Sequence, residues 1–429
     1  MASSAKRQKL VIIGAGMAGS KLASTLMAKA KNSYDITLIG EEIQAGYNRI
    51  MLSSLLANEL SFNEMQFVDI NALKLAGLML ITGDAVIDIC IKAKQLTLTS
   101  QKKISYDKLV FATGSRASVL PGIDSDAGNV MSFRNLQDIS KIDSLPALTN
   151  VCVIGGGLLG LEAAVGLVKR GHKVTLIHRS SHILNRQLDI TAAAMLEETL
   201  AGMGIQFCLG SAPKKLNYLD GALNRQSKTV NSVELESGLL IATELVIVAT
   251  GITPEVNLAN RVGLDVNKAI IVNSLMETSD EHIYALGECT EFENKTFGLV
   301  APIWQQLDTL VAVLKETSKC KSFDTVNNFT IKPVPTKLKV SGINLFSVGD
   351  INSQDESKCI TLIDRTHQNY RKLFVVNGLL KAVILYGDVS DGNWYFELIQ
   401  NQTYISDKLD LIIFGEAYCS SNKDMALVA

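Results

Sequence analysis

The sequence has no C-x-x-C pair: its seven cysteines (Cys90, Cys152, Cys208, Cys289, Cys320, Cys359, Cys419) stand far apart. Zinc knots, iron–sulfur centres and disulfide scaffolds need paired or clustered thiols, so none is expected, and the pattern fits a reducing, cytoplasmic setting. Neither sign of charge dominates. With 41 Lys and Arg against 43 Asp and Glu the formal net charge is −2, too weak a field to draw the chain onto nucleic acid or an anionic membrane. The early apolar run VIIGAGMAG is broken by glycine and too short for a signal core or a membrane span, so a first strand is expected from about residue 9. His172, His182, His282 and His367 lack partners at ligand spacing, and no metal site is expected.

Glycine is what the chain has in quantity. Many of the 31 glycines follow apolar, β-branched runs directly. Residues 9–41 read as strand, glycine turn, amphipathic helix, strand and acidic residue; residues 150–180 repeat the order as VCVIGGGLLG, LEAAVGLVKRGHK and VTLIHRS. Each is a βαβ unit of about thirty residues. Leu10–Ile13 and Val151–Ile154 are continuous apolar runs, as in parallel strands covered on both faces. Two further strands, in YDKLVFATGSRA (106–117) and ATELVIVATGITP (242–254), end in Ala-Thr-Gly, the second at Gly251, and bracket the second unit. One nucleotide domain is therefore inserted in the other: 1–117 with 245–320, and 118–244. Residues 321–429 change texture, with short alternating strands and an Asn-Gly hairpin signal, and form a smaller α+β cap. The fold class is α/β, two Rossmann-like dinucleotide-binding domains plus that cap.

Gly14-x-Gly16-x-x-Gly19 lies between strand and helix, where its spacing has a mechanical meaning. Gly14 permits the tight turn, Gly16 admits a diphosphate, and Gly19 lets helix and strand pack closely. Backbone hydrogen bonds to the anion, about 1.5–3 kcal/mol each, outweigh the helix dipole at about 0.3–1 kcal/mol. The next strand ends at Glu41-Glu42, of which Glu41 is assigned the ribose hydroxyls. Gly155-x-Gly157-x-x-Gly160 is equally well placed, but its second strand ends at His178-Arg179. An acid there selects NADH and an Arg accepts the 2′-phosphate of NADPH, so the preference stays open.

The layout resembles the pyridine nucleotide-disulfide oxidoreductases over about residues 9–320, on five ordered motifs. Their late T-x-x-x-x-I-Y-A-x-G-D motif reads Thr278 to Glu288 here, with Glu for Asp. The resemblance implies FAD on the first fold, with Thr113-Gly114, the Val86 backbone and Gly287-Glu288 lining it, and NADH or NADPH on the second, with Glu162 near the nicotinamide. The segment AGYNRIMLSSLLANE lacks the redox cysteines of the disulfide-, peroxide- and coenzyme-A-disulfide-reducing branches. Without a thiol relay, electrons leave the flavin directly.

Tyr47-Asn48-Arg49, Leu52-Ser53-Ser54, RQLD at Arg186–Asp189, GECTEFENKTFGLVAP and VPTKLKVSGINLFSVGD narrow the resemblance. They are similar to the flavoprotein part of the assimilatory nitrite reductase large subunit and to the nitrate reductase electron-transfer subunit. Rubredoxin and ferredoxin reductases, slightly further off, carry Lys where Ser54 stands. Tyr47 and Arg49 are implied to sit near the flavin, and the cap to cover the flavin or form a homodimer contact. The implied function is electron transfer from NAD(P)H through FAD to a nitrate or nitrite reductase component, a rubredoxin or a ferredoxin. No side chain is assigned a catalytic role. The clustered cysteines for sirohaem or an iron–sulfur cluster are absent, so nitrite reduction by that route is not expected of this chain alone. A non-catalytic NADH-sensing flavoprotein is the competing class.

Overall fold

The computed structural model describes residues 7–30, 32–120, 123, 127–219, 228–317, 326–340, 342–351 and 358–420. Cys320, the first residues assigned to the cap and the tail after Ser420 lie outside the described residues. The chain divides into two compact units, one of Met1–Leu55, Leu60–Ser118 and Ile252–Lys332, the other of Leu56–Glu59, Val119–Gly251 and Pro333–Ala429.

The first unit is built on a five-stranded parallel sheet in the order Ile283–Ala285, Lys108–Phe111, Gln8–Ile13, Tyr34–Gly40, Met79–Thr82. Leu10, Ile12, Leu109 and Val110 are fully buried, as continuous apolar runs require when both faces are covered. Helix Met17–Lys29 buries Gly19, Leu22, Ala23 and Leu26, the three-to-four spacing of one helical face. Helix Val300–Thr317 packs beside it, and the Tyr34 hydroxyl donates to the Leu314 carbonyl at 2.7 Å. Just beyond the two Ala-Thr-Gly segments, Ser115–Ala117 pairs antiparallel with Ile252–Pro254, so the two chain crossings are hydrogen-bonded to each other.

The second unit repeats the plan in the order Ile205–Leu209, Lys173–His178, Asn150–Ile154, Leu245–Val248, Val130–Ser132, all parallel. Strand Leu245–Val248, which the sequence boundary at 245 assigns to the first domain, pairs with Val151–Ile154 in this sheet. The crossing therefore follows Gly251, because that strand is hydrogen-bonded into this sheet and the first unit resumes at Ile252.

The C-terminal residues form a five-stranded antiparallel sheet in the order Thr336–Val340, Ile343–Val348, Leu379–Tyr386, Asn369–Val376, Lys358–Asp364. The expected Asn-Gly hairpin is present: Asn377 and Gly378 have φ of 50° and 74° between paired Val376 and Leu379, as a type I′ turn requires. Helix Gly392–Gln400 packs on Leu379–Tyr386, and Phe346, Leu373, Val383, Leu385 and Tyr395 form the core. Although this sheet has its own core, it belongs to the same compact unit as the second parallel sheet.

The joint between them is polar and specific. Asp189 caps helix Ile190–Gly202, accepting from Ala192 N at 3.0 Å, and also accepts from the Tyr370 hydroxyl at 2.6 Å and Lys372 Nζ at 2.8 Å. Burial alone pushes its carboxyl upward, but these hydrogen bonds outweigh that and hold it below the usual Asp range. The stability it contributes is present above that range and is lost as pH falls through the lowered value.

Asp189→Ala removes a cap worth about 1 kcal/mol and takes the acceptor from the buried Tyr370 hydroxyl and the half-buried Lys372 ammonium, at about 1–3 kcal/mol. Denaturant unfolding is expected to show a loss of about 2–4 kcal/mol, with Asp189→Asn, which keeps an acceptor, losing less.

Candidate functional site: two glycine cradles

Four neighbouring strands of the first sheet run out at their carboxyl ends into the residues singled out from sequence. Ile283–Ala285 leads to Gly287-Glu288, Lys108–Phe111 to Thr113-Gly114, Gln8–Ile13 to Gly14, and Tyr34–Gly40 to Glu41-Glu42. That edge is where open α/β sheets bind ligands. Val86 stands apart, opening strand Val86–Cys90 of a separate three-stranded antiparallel sheet.

The three fingerprint glycines have three different reasons to be glycine. Gly14 has φ +113°, and a Cβ there would lie 2.1 Å from the Ala112 carbonyl oxygen. A Cβ on Gly19 would lie 1.9 Å from the Gly14 carbonyl oxygen, so helix and turn touch. Gly16 has an ordinary φ of −71°, and nothing lies within 4 Å of its missing Cβ. Backbone strain and protein contacts do not explain Gly16; open space at the start of a helix that no side chain caps does. A diphosphate fits such a cradle, with backbone N–H groups as donors.

The surrounding polar groups are held from behind. Glu42 accepts from the Tyr47 hydroxyl at 2.6 Å and pairs with Arg49. Tyr47 is 2% exposed, and burial pushes its phenol well up. Arg49 Nε is buried with no hydrogen-bond partner among the described residues. Glu41, by contrast, is exposed, and its nearest charge is Arg116 at 3.9 Å. The Gly287 amide donates to Gln306 Oε1 at 2.8 Å, and Gln306, fully buried, donates to Thr290 Oγ1 at 3.1 Å. Glu288 accepts from Ser115 Oγ at 2.5 Å, and Thr113 Oγ1 donates to the Glu255 carbonyl at 2.9 Å.

The second sheet carries the same device. Gly155 has φ +126° with a virtual Cβ 2.3 Å from the Ala249 carbonyl oxygen, and that of Gly160 lies 1.9 Å from the Gly155 carbonyl oxygen. Gly157, at φ −83°, opens helix Leu158–Lys169 without a side-chain cap, and nothing lies within 4 Å of its missing Cβ. Gly251, φ +128°, lies three residues beyond the neighbouring strand Leu245–Val248 at the same edge. Glu162 lies in the second turn of the helix, half-buried. His178 is not a free surface side chain: Gly156 N donates to its Nδ1 at 3.2 Å. Ser211 Oγ, just beyond strand Ile205–Leu209 at this edge, is buried without a partner among the described residues.

Sequence reasoning did not find the supports. Glu42 as a clamp, Gln306 and Ser211 act through tertiary contact, and only Glu42, beside Glu41, had a local signal. Trp304 lies in helix Val300–Thr317, its ring 6.3 Å from that of Phe67, as part of the first core. His367 pairs with Asp364, His282 lies near Lys108, and among the described residues no His, Cys, Asp or Glu group could hold a metal.

Two parallel sheets, each folding a glycine turn over an uncapped helix start, define a protein with two Rossmann-type dinucleotide folds. The chain belongs to the pyridine nucleotide-disulphide oxidoreductase family, whose model matches residues 8–311; FAD and NAD(P)H are the cofactors of that family. Residues 333–403 match the rubredoxin NAD+ reductase C-terminal domain. The chain is 33% identical over 94% of its length to the nitrite reductase [NAD(P)H] of Bacillus subtilis (strain 168), covering 48% of that protein. It is equally similar, 33% over 94%, to the assimilatory nitrate reductase electron transfer subunit of the same organism, covering 50% of it. The chain thus spans about half the length of these relatives. The crystal structure of NADH:rubredoxin oxidoreductase from Clostridium acetobutylicum superimposes with TM-score 0.75 at 27% identity, over 97% of this chain and 100% of that one.

Stripped of flavin, Gly16→Ala and Gly157→Ala are expected to melt close to the flavin-free parent protein, since each added methyl enters open space. With FAD on the first cradle and the nicotinamide dinucleotide on the second, as the resemblance implies, Gly16→Ala should be isolated with little flavin, whereas Gly157→Ala should retain flavin and lose NAD(P)+ affinity, read by absorbance and calorimetry. Gly19→Ala should instead lower the melting temperature.

Proposed function

We propose that this chain is an NAD(P)H-dependent FAD oxidoreductase that hands electrons to a separate redox protein in nitrate or nitrite assimilation, with a rubredoxin or ferredoxin as the second choice of acceptor. The observation that carries the reading is the pair of open glycine cradles, Gly16 and Gly157, on two distinct parallel sheets. The absence of cysteine from residues 45–59 adds that no thiol relays the electrons. The names of the two Bacillus subtilis relatives and the rubredoxin reductase C-terminal match support the acceptor class. Dispersed cysteines, all free among the described residues, support a reducing, cytoplasmic location.

In this reading Gly14, Gly16 and Gly19 seat the FAD diphosphate and Glu41 the ribose hydroxyls. Tyr47, Arg49, Val86, Thr113, Gly114, Gly287 and Glu288 line the remainder. Gly155, Gly157 and Gly160 seat the nicotinamide dinucleotide, flanked by Glu162, His178 and Gly251. When bound, the flavin supplies the conversion between two-electron transfer from nicotinamide and one-electron transfer to an acceptor. The chain's own contribution is positioning. Glu42 fixes Tyr47 and Arg49 so that the spare Nε of Arg49 is presented without rotamer loss, and Gln306 anchors the Gly287 turn. No side chain is required as nucleophile or proton shuttle.

The test is anaerobic reduction of the flavin by NADH or NADPH, followed by mixing with a nitrate or nitrite reductase acceptor module, a rubredoxin or a ferredoxin. Flavin absorbance is expected to return with a protein acceptor faster than with oxygen. Reoxidation by oxygen alone, and by none of the proteins, would contradict the proposal.

A further inference from the structure

In the second unit the peptide of Gly156, at the centre of the diphosphate turn, is held on both sides. Its N–H donates to His178 Nδ1 at 3.2 Å, and its carbonyl accepts from Leu184 N at 2.9 Å. His178 Nε2 in turn lies 3.4 Å from Asn185 Oδ1. Turn, strand end and following loop thus close into a ring with the imidazole as its keystone. The packing is close: a Cβ on Gly156 would stand 2.8 Å from the imidazole ring. The loop is seated as well, with Leu184 only 1% exposed.

An N–H can donate only to an unprotonated ring nitrogen. The geometry therefore requires a neutral imidazole with its proton on Nε2, facing Asn185. A proton on Nδ1 would set two N–H groups against each other and open the ring of contacts. The surroundings oppose that proton. Burial acts most strongly; Asn185 favours the charged form, while Arg179 and His182 disfavour it, and the balance lies below the usual imidazole range.

We propose that His178 is a positioning residue that, as a neutral acceptor, locks the Gly155–Gly157 turn to the Leu184–Asn185 loop, so that nicotinamide dinucleotide binding is lost as the solution is acidified. The inference rests on assigning this turn to the nicotinamide dinucleotide. It also separates two roles left together by the sequence. Nδ1 of His178 is committed to the turn, which leaves the exposed Arg179 as the neighbouring cation for a 2′-phosphate.

The sign of the pH effect follows from which form makes the bond. The neutral ring binds the turn, so affinity is full above the depressed transition and declines below it. An imidazolium acting as a phosphate ligand would give the opposite slope.

The experiment titrates oxidised, flavin-loaded protein with NAD+ and, separately, NADP+ by calorimetry from about pH 5 to about pH 8. Parent protein, His178→Asn and His178→Ala are compared. The asparagine oxygen can accept the Gly156 N–H but does not titrate. For the parent, affinity is expected to be level at the upper end and to fall by at most about tenfold per pH unit below the transition. His178→Asn should bind nearly as tightly and lose the pH step, and His178→Ala should bind weakly throughout. Affinity that rises on acidification, a step that survives in His178→Asn, or parent-like binding by His178→Ala would each overturn the proposal. Failure of the parent to bind either dinucleotide at any pH would overturn the nicotinamide assignment and this inference with it.

Discussion

Open backbone at the start of a helix, at the carboxyl edge of a parallel sheet, is the constraint on which the rest of this structure depends. A diphosphate carries charge that side-chain cations could neutralise, yet neither cradle places Lys or Arg in its glycine turn. In the proposed reading recognition falls to main-chain N–H groups, which are usable only where no side chain covers them. Gly16 and Gly157 meet that condition at ordinary backbone angles, so their identity is set by the space in front of them. The adjoining glycines serve a different end: they bring turn, helix and strand close enough for that space to be fixed.

From this follows a division of labour between edge and support. The residues at the strand ends present donors and acceptors outward, and a second set holds them in place from within. Glu42 is committed to Tyr47 and Arg49, which leaves Glu41 open. Gln306 spends both ends of its amide on Gly287 and Thr290. In the second unit His178 plays the equivalent part for Gly156. Buried polar groups of this kind are stabilising only when satisfied; among the described residues Arg49 Nε and Ser211 Oγ, near the two cradles, are two of the five buried side-chain atoms without a hydrogen-bond partner.

Much of this was legible in the sequence because the informative features are local. Strand, glycine turn and helix follow one another within a few residues, and the apolar runs at Leu10–Ile13 and Val151–Ile154 announce covered parallel strands. The Asn377-Gly378 turn was equally plain, since its backbone angles select those two residues. The boundary at 245 was misplaced for a physical reason: Leu245–Val248 reads as a buried strand in either sheet, and only its pairing with Val151–Ile154 decides. His178 stayed ambiguous because its partner, Gly156, lies twenty-two positions away in a turn that carries no side chain. The Asp189 joint to Tyr370 and Lys372 was invisible for the same reason, as it depends on tertiary contact across nearly half the chain.

The central claim, two independent dinucleotide cradles in one polypeptide, is tested most directly by binding stoichiometry in native mass spectrometry. The account predicts one FAD per chain on isolation and one further NAD+ or NADP+ on titration, with the flavin retained. A nicotinamide dinucleotide that displaces the flavin, or a chain that never carries both at once, would contradict it.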